Sequence, residues 1–257
     1  MKRESRMAVA LCAMALASVC VFSPGMQAQS AEKAPLYTYV AEWDVPRAMW
    51  ADYEKVAASS TDAMRKAVED GTIVSYGRFE VLNHQEGNPT HGSWFSATSM
   101  ANLMKVLEGL RNAPNLTNPV FAASKHWDLI LSSKDYNAHS GTFANGYLRV
   151  GSWRPKAGSS DPEGKVLRAT IGAMLEKLLA DGALHTYQLD TETIHSQDPG
   201  TMFVAIVTNG AEGLDKFNAA LDEAQKNHPE ILAAYGSLID GGGHRDTLAR
   251  VPSMTHK

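Results

Sequence analysis

Residues 36–45 read LYTYVAEWDV, and residues 147–154 read YLRVGSWR. Aligned on Trp43 and Trp153, the two stretches alternate in step. Tyr37, Tyr39, Ala41 and Trp43 on one face answer Tyr147, Arg149, Gly151 and Trp153. Thr38, Val40 and Glu42 on the other answer Leu148, Val150 and Ser152. Period-two alternation rich in aromatic and β-branched residues is a strand. The echo continues downstream. Asp70-Gly71 matches Asp181-Gly182, Tyr76 matches Tyr187, Leu103–Lys105 matches Leu214–Lys216, and His126-x-Asp128 matches His244-x-Asp246. A self-similarity of this length means a duplicated structural unit.

The first copy reads as strand 36–45, helix 50–69, strand 72–82, strand 92–97, helix 100–111 and strand 127–132. The second reads as strand 147–154, helix 165–180, strand 183–194, strand 202–208, helix 213–226, a short helix 229–238 and strand 245–251. The expected fold class is α+β: two tandem βαββαβ ferredoxin-like repeats, 31–136 and 147–257, joined by a linker at 137–146. Such a sheet carries helices on one face and needs a partner for the other. The two copies are therefore expected to pack sheet to sheet within one chain, which leaves a monomeric pseudo-dimer, with higher assembly through strand edges open.

This duplicated order over about 36–251 resembles the dimeric α/β barrel superfamily in a tandem-fused form. The resemblance implies a fold shared by cofactor-free monooxygenases, isomerases, haem-binding relatives of chlorite dismutase and plain binding domains, so it does not by itself select a function.

Residues 1–30 set the expected compartment. Lys2, Arg3 and Arg6 precede an uncharged apolar run, Met7–Phe22, then Ser23-Pro24-Gly25 and the small residues Ala28-Gln29-Ser30. This is the pattern of a secretory signal peptide, with export to the periplasm or beyond. Cys12 and Cys20 are the chain's two cysteines and both fall inside it. The mature chain is thus expected to lack disulfides and thiol chemistry. The net charge is −4, and loss of three basic residues and Glu4 takes it to −6. A mildly acidic chain without a basic run argues against nucleic acid and anionic membrane surfaces. The expected partner is a small molecule.

Residues that could serve it lie on the strands. The aromatic face, Tyr39, Trp43, Tyr76, Tyr147, Arg149, Trp153 and Tyr187, suits a ligand pocket between sheets, and it equally suits core packing. The opposite face, Thr38, Val40, Glu42 and its counterparts, reads as packing beneath helices. Arg78 could hold a carboxylate or enolate oxygen, with His185 as a proton carrier near neutral pH; an Arg78–Glu80 surface pair is the bland alternative. His126-x-Asp128 and His244-x-Asp246 place an imidazole and a carboxylate on one strand face. Each pair could be a structural hydrogen bond, a base with its orienting acid, or two ligands of a metal that normally needs three. No cofactor is expected. Haem through a single axial histidine, His126, His185 or His244, is the weaker alternative. The reading is a secreted small-molecule-binding protein. Its rivals are a cofactor-free monooxygenase or isomerase using an arginine and a histidine, and a haem protein.

Overall fold

A computed structural model describes residues 33–113, 117–159, 165–196 and 200–257. The expected signal segment lies outside them. Eight strands alternate with helices in chain order: β1 (Leu36–Asp44), a 3-10 turn (Arg47–Met49), α1 (Trp50–Ser59), α2 (Thr61–Glu69), β2 (Ser75–Val81), β3 (His91–Ala97), α3 (Met100–Arg111), α4 (Pro119–Ala123) and β4 (Lys125–Ala138). The second half gives β5 (Gly141–Pro155), α5 (Lys165–Ala180), β6 (Leu184–Ile194), β7 (Met202–Thr208), α6 (Ala211–Asn227), α7 (Pro229–Leu238) and β8 (Ile239–His256).

The sheet arrangement corrects the expected one. The strands do not form two ferredoxin-like βαββαβ sheets packed face to face. They form one closed barrel in the order β1-β3-β2-β8-β5-β7-β6-β4, with β4 returning to β1. Every pairing is antiparallel. The halves join by edge hydrogen bonds: β2 pairs with β8, and β4 pairs with β6. The physical reason is that a sheet edge is a row of unpaired backbone donors and acceptors, and closure satisfies all of them. Strand length makes this feasible. β4 runs on to Ala138 and β8 spans Ile239–His256, well past the boundaries that hydrophobic alternation marks. The stretch 137–146 contains the end of β4, a two-residue turn at His139-Ser140 and the start of β5. Gly241–Gly243, which reads as low complexity, lies within β8.

The helices cover the outside. α2 and α3 press Met64, Val68, Leu103 and Leu107 against Tyr39, Tyr76 and Phe95. α5 and α6 press Leu175, Leu179 and Phe217 against Tyr187, Leu189 and Ile206. Local signals set the helix ends. The Ser99 side chain accepts the Asn102 N–H and starts α3, the expected work of an N-cap serine. Gly71 and Gly182, equivalent positions after α2 and α5, both adopt left-handed φ values of 80° and 71°, where glycine meets no Cβ penalty.

Candidate functional site

The alternation that places Tyr39 and Trp43 under the helices turns the other face of every strand inward. The barrel encloses a cavity of about 410 Å³. Its apolar wall includes Val40, Phe79, Trp94, Leu129, Leu148 and Phe203. Thr38, Glu42, Ser152, Gln188 and Asp190 provide polar points on that wall. Asn83, His84, Gln85 and Asn88 of the β2–β3 loop, all exposed, and Arg245–Thr247 of β8 form the rim.

Trp94 fits because Gly77 faces it. A Cβ at Gly77 would lie 2.3 Å from the indole, so the ring occupies the space a side chain would take. Glu42 projects from β1, whose register sets it beside Gly92 and Trp127. It remains partly accessible, on the side that lines the cavity. Burial lifts its carboxyl to about 7, because a low-dielectric surrounding disfavours the charged form. Asp190 projects from β6 beside Ser133 and Phe203. It is 2% exposed, and burial raises it to about 7 as well. Its Oδ1 is buried without a hydrogen-bond partner among the described residues. Thr38 Oγ1 donates to Gln188 Oε1 at 3.2 Å over the intervening β4, and it shares a 2.8 Å hydrogen bond with Ser96. An apolar chamber with a few fixed polar groups and two carboxyls titrating near neutrality has the makeup of a small-molecule site.

The residues expected to form the site lie elsewhere. None of Tyr39, Trp43, Tyr76, Arg78, His126, Tyr147, Arg149, Trp153, His185, Tyr187 or His244 lines the cavity. Tyr39 and Tyr76 belong to the core beneath α3. Tyr187 donates to Glu176 of α5 at 2.5 Å. Tyr147 sits between Thr208 and Arg250 in the sheet register, on the same strand face as Arg149. Arg149 points to the helices, donating to Asn218 at 2.7 Å and lying over the Phe217 ring. Arg78 pairs with Glu54 of α1 at 3.1 Å, and Glu80 faces Arg250 rather than Arg78. His185 stacks on Phe143 with ring centroids 4.6 Å apart. Burial, reinforced by the neighbouring His139 and His256, depresses it to about 4. β2 and β6 are four strands apart in either direction around the ring, and neither Arg78 nor His185 is on the cavity wall that β2 and β6 share through Phe79 and Asp190.

The two His-x-Asp pairs form, each on one strand face as the spacing predicts; His126, Asp128 and His244 lie off the cavity lining, and Asp246 stands at its rim. His126 Nε2 lies 3.0 Å from Asp128 Oδ1, and the Tyr39 hydroxyl donates to the same oxygen. The His126 ring stacks on Trp43 at 3.7 Å. Burial raises the Asp128 carboxyl, but the hydrogen bonds from His126 and Tyr39 outweigh it and hold it below its usual value. Burial and the bond to Asp128 push the Tyr39 hydroxyl far up. In the second half, His244 Nε2 is 3.7 Å from Asp246 Oδ1, Arg149 Nε is 3.6 Å from it, and His244 stacks on Trp153 at 4.9 Å. Among the described residues no group of three or more His, Cys, Asp or Glu side chains could hold a metal. Haem in the cavity does not fit the histidines either. His126, His185 and His244 do not line it, and His84, the cavity-lining histidine, stands at the rim.

The inner residues Glu42, Gln188, Asp190 and Trp94 were legible only indirectly. Helices with leucine stripes require apolar partners, so the aromatic strand face belongs under them and the polar face belongs inside. The alternation of Gln188, Asp190 and Glu192 along one face of β6 is the matching signal.

No protein-family model matches the chain, and no curated protein matches it significantly. Solved structures do resemble it. A provisionally assigned monooxygenase from Lactobacillus acidophilus superposes with a TM-score of 0.62 at 10% identity, covering 87% of this chain and 97% of the other. One from Fusobacterium nucleatum subsp. nucleatum gives 0.58 at 9% identity, covering 88% and 95%. A provisionally assigned chlorite dismutase gives 0.50 at 9%, covering 84% and 94%. These neighbours are members of the dimeric α/β barrel superfamily, and at such identities the likeness is one of fold.

Proposed function

We propose that the chain is an enzyme that takes a small, largely apolar organic molecule into the barrel and removes a proton from it, with Glu42 as the base. The observation that carries this reading is Glu42 itself. It is a carboxyl on the wall of a chamber that also carries apolar surfaces for an organic body, held near neutrality by burial, where a general base works best. The Gln188 amide NH2 offers a donor for the substrate's oxygen, its Oε1 being engaged by Thr38, and Trp94, Phe79 and Phe203 offer surfaces for an aromatic body. Monooxygenase assignments among the structural neighbours support an oxidative outcome, in which the deprotonated substrate reacts with dioxygen as co-substrate. Atoms balance when a CH2 and O2 become a C=O and water. Return of the proton to another carbon gives isomerisation instead. The earlier pairing of an arginine with a histidine has no part in this reading. We further propose export after loss of residues 1–30 and action as a monomer, on the strength of the basic-apolar-small pattern and of a barrel closed within one chain.

The test is exchange of the α-protons of enolisable aryl ketones, such as 2-tetralone, into D2O, followed by NMR, with oxygen uptake recorded in parallel. Catalysed exchange, lost in Glu42→Gln, supports the base. Binding without exchange for every ketone would leave a binding protein and overturn the enzymatic reading.

A further inference from the structure

The cavity has a second polar point that proton abstraction at Glu42 does not use. Asp190 lies on β6, two strands from β1 around the barrel through β4. Its neighbours on the same face are spoken for. Glu192 accepts from the Ser196 backbone N–H at 2.8 Å and from its hydroxyl. Ser133 Oγ donates to the carbonyls of Asp135 and Leu189, each at 2.8 Å. Gln188 accepts from Thr38. Asp190 Oδ1 is left buried without a partner; Ser75 Oγ, Arg78 Nε and His185 Nε2 share that state among the described residues, but of the four only Asp190 lines the cavity. Buried polar groups are nearly always satisfied, so an orphan on a cavity wall marks the place of a ligand group.

The charge around it selects the group. Among the cavity-lining residues, Glu42, Asp190 and Asp246 are acids, and Arg245 is the only lysine or arginine. Arg245 stands at the rim, exposed. Phe203 is the cross-strand partner of Asp190 on β7 and also lines the chamber. An aromatic ring beside a carboxyl whose Oδ1 has no partner suits a positively charged nitrogen.

We propose that Asp190 and Phe203 form an ammonium-binding subsite, and that the molecule taken into the barrel is an aromatic or alicyclic amine. This rests on the reading of the interior as the substrate chamber and names the substrate class for it. The nitrogen donates to Asp190 Oδ1 and lies against the Phe203 ring, while the apolar body extends along Trp94 and Phe79.

The test is calorimetric binding of three isosteric probes to the purified chain at one pH: 2-phenylethylamine, 2-phenylethanol and phenylacetate. The amine is expected to bind about tenfold tighter than the alcohol, the difference a charge-assisted hydrogen bond makes, with phenylacetate weakest. Asp190→Asn, close in volume, is expected to erase the amine's advantage while retaining the alcohol. This ranking is read first in the wild-type chain, so it stands even if the variant folds poorly. Equal binding of amine and alcohol, or preference for phenylacetate, overturns the amine anchor and leaves the proton-abstraction reading intact. Failure of all three to bind overturns both.

Discussion

The two halves of the barrel agree on their outer face and differ on their inner one. Outside, the same quartet recurs: Trp43, His126, Asp128 and Tyr39 in the first half, Trp153, His244, Asp246 and Arg149 in the second. In each, a histidine and a second donor converge on one aspartate oxygen, and an indole stacks on the imidazole. Inside, equivalent positions part company. Glu42 answers Ser152, Gly77 answers Gln188, Phe79 answers Asp190 and Trp94 answers Ala205. A contact that fixes a strand end under its helices is needed in each half. A single chamber shared by both halves needs each polar group only once. On the proposed reading the recurring quartets are structural, and the chemistry belongs to the interior.

The most disruptive way to sharpen this contrast is to transplant an inner residue. Gly77→Gln installs the second half's residue where the Cβ already collides with Trp94 at 2.3 Å. Overpacking of this kind costs about 3 kcal/mol, and urea denaturation is expected to show it. The reverse change, Gln188→Gly, loses the bond to Thr38 and costs about 1–2 kcal/mol.

Catalysis separates the halves next. Glu42→Gln is expected to slow α-proton exchange roughly 100-fold or more, the usual worth of a general base. Ser152→Ala, at the equivalent position, is expected to leave it within about twofold, since that hydroxyl is not asked to move a proton. The exchange rate should rise with pH and level off above about 7, because the base must be ionised. Equal losses in the two variants would break the comparison.

The outer quartets should respond alike and weakly. His126→Ala removes a stacked ring and a hydrogen bond, and His244→Ala a stacked ring and a longer contact to Asp246, each about 1 kcal/mol of stability or less, with exchange rates near wild type. A large catalytic loss in either would return the site to the outer face.

A smaller effect lies in the pH dependence of stability. Asp190 titrates at about 7 in the folded chain, raised from 3.8 by burial. Its contribution is fully present below the unfolded value and is lost as pH rises through 7, because the folded state binds the proton more tightly. His91 and His185, depressed to about 4 by burial, act in the opposite sense between pH 4 and 6.5. The difference between the wild-type chain and Asp190→Asn isolates the acid. It should favour the wild type less and less from pH 4 to 7.

Most strands, the Asp-Gly helix ends and the two His-x-Asp pairs were legible in the sequence because each rests on local spacing. Two features were not. Closure of the barrel depends on which edges meet, β2 with β8 and β4 with β6, and alternation within a strand says nothing about its distant neighbour. The facing of the strands was inverted because Tyr39, Trp43, Tyr147 and Trp153 suit a ligand pocket and a helix-covered core equally well. Glu42 and Asp190 escaped notice for the same reason: a carboxyl in a strand reads as solvated until the strand's inner face is known.

The most direct test labels the chain's five tryptophans with 5-fluorotryptophan, assigns their 19F resonances by single Trp→Phe changes, and adds 2-tetralone. A chamber inside the barrel predicts that the Trp94 resonance moves and that Trp43 and Trp153 stay in place. Shifts at Trp43 or Trp153 with Trp94 unmoved would put the ligand on the outer face and contradict the account.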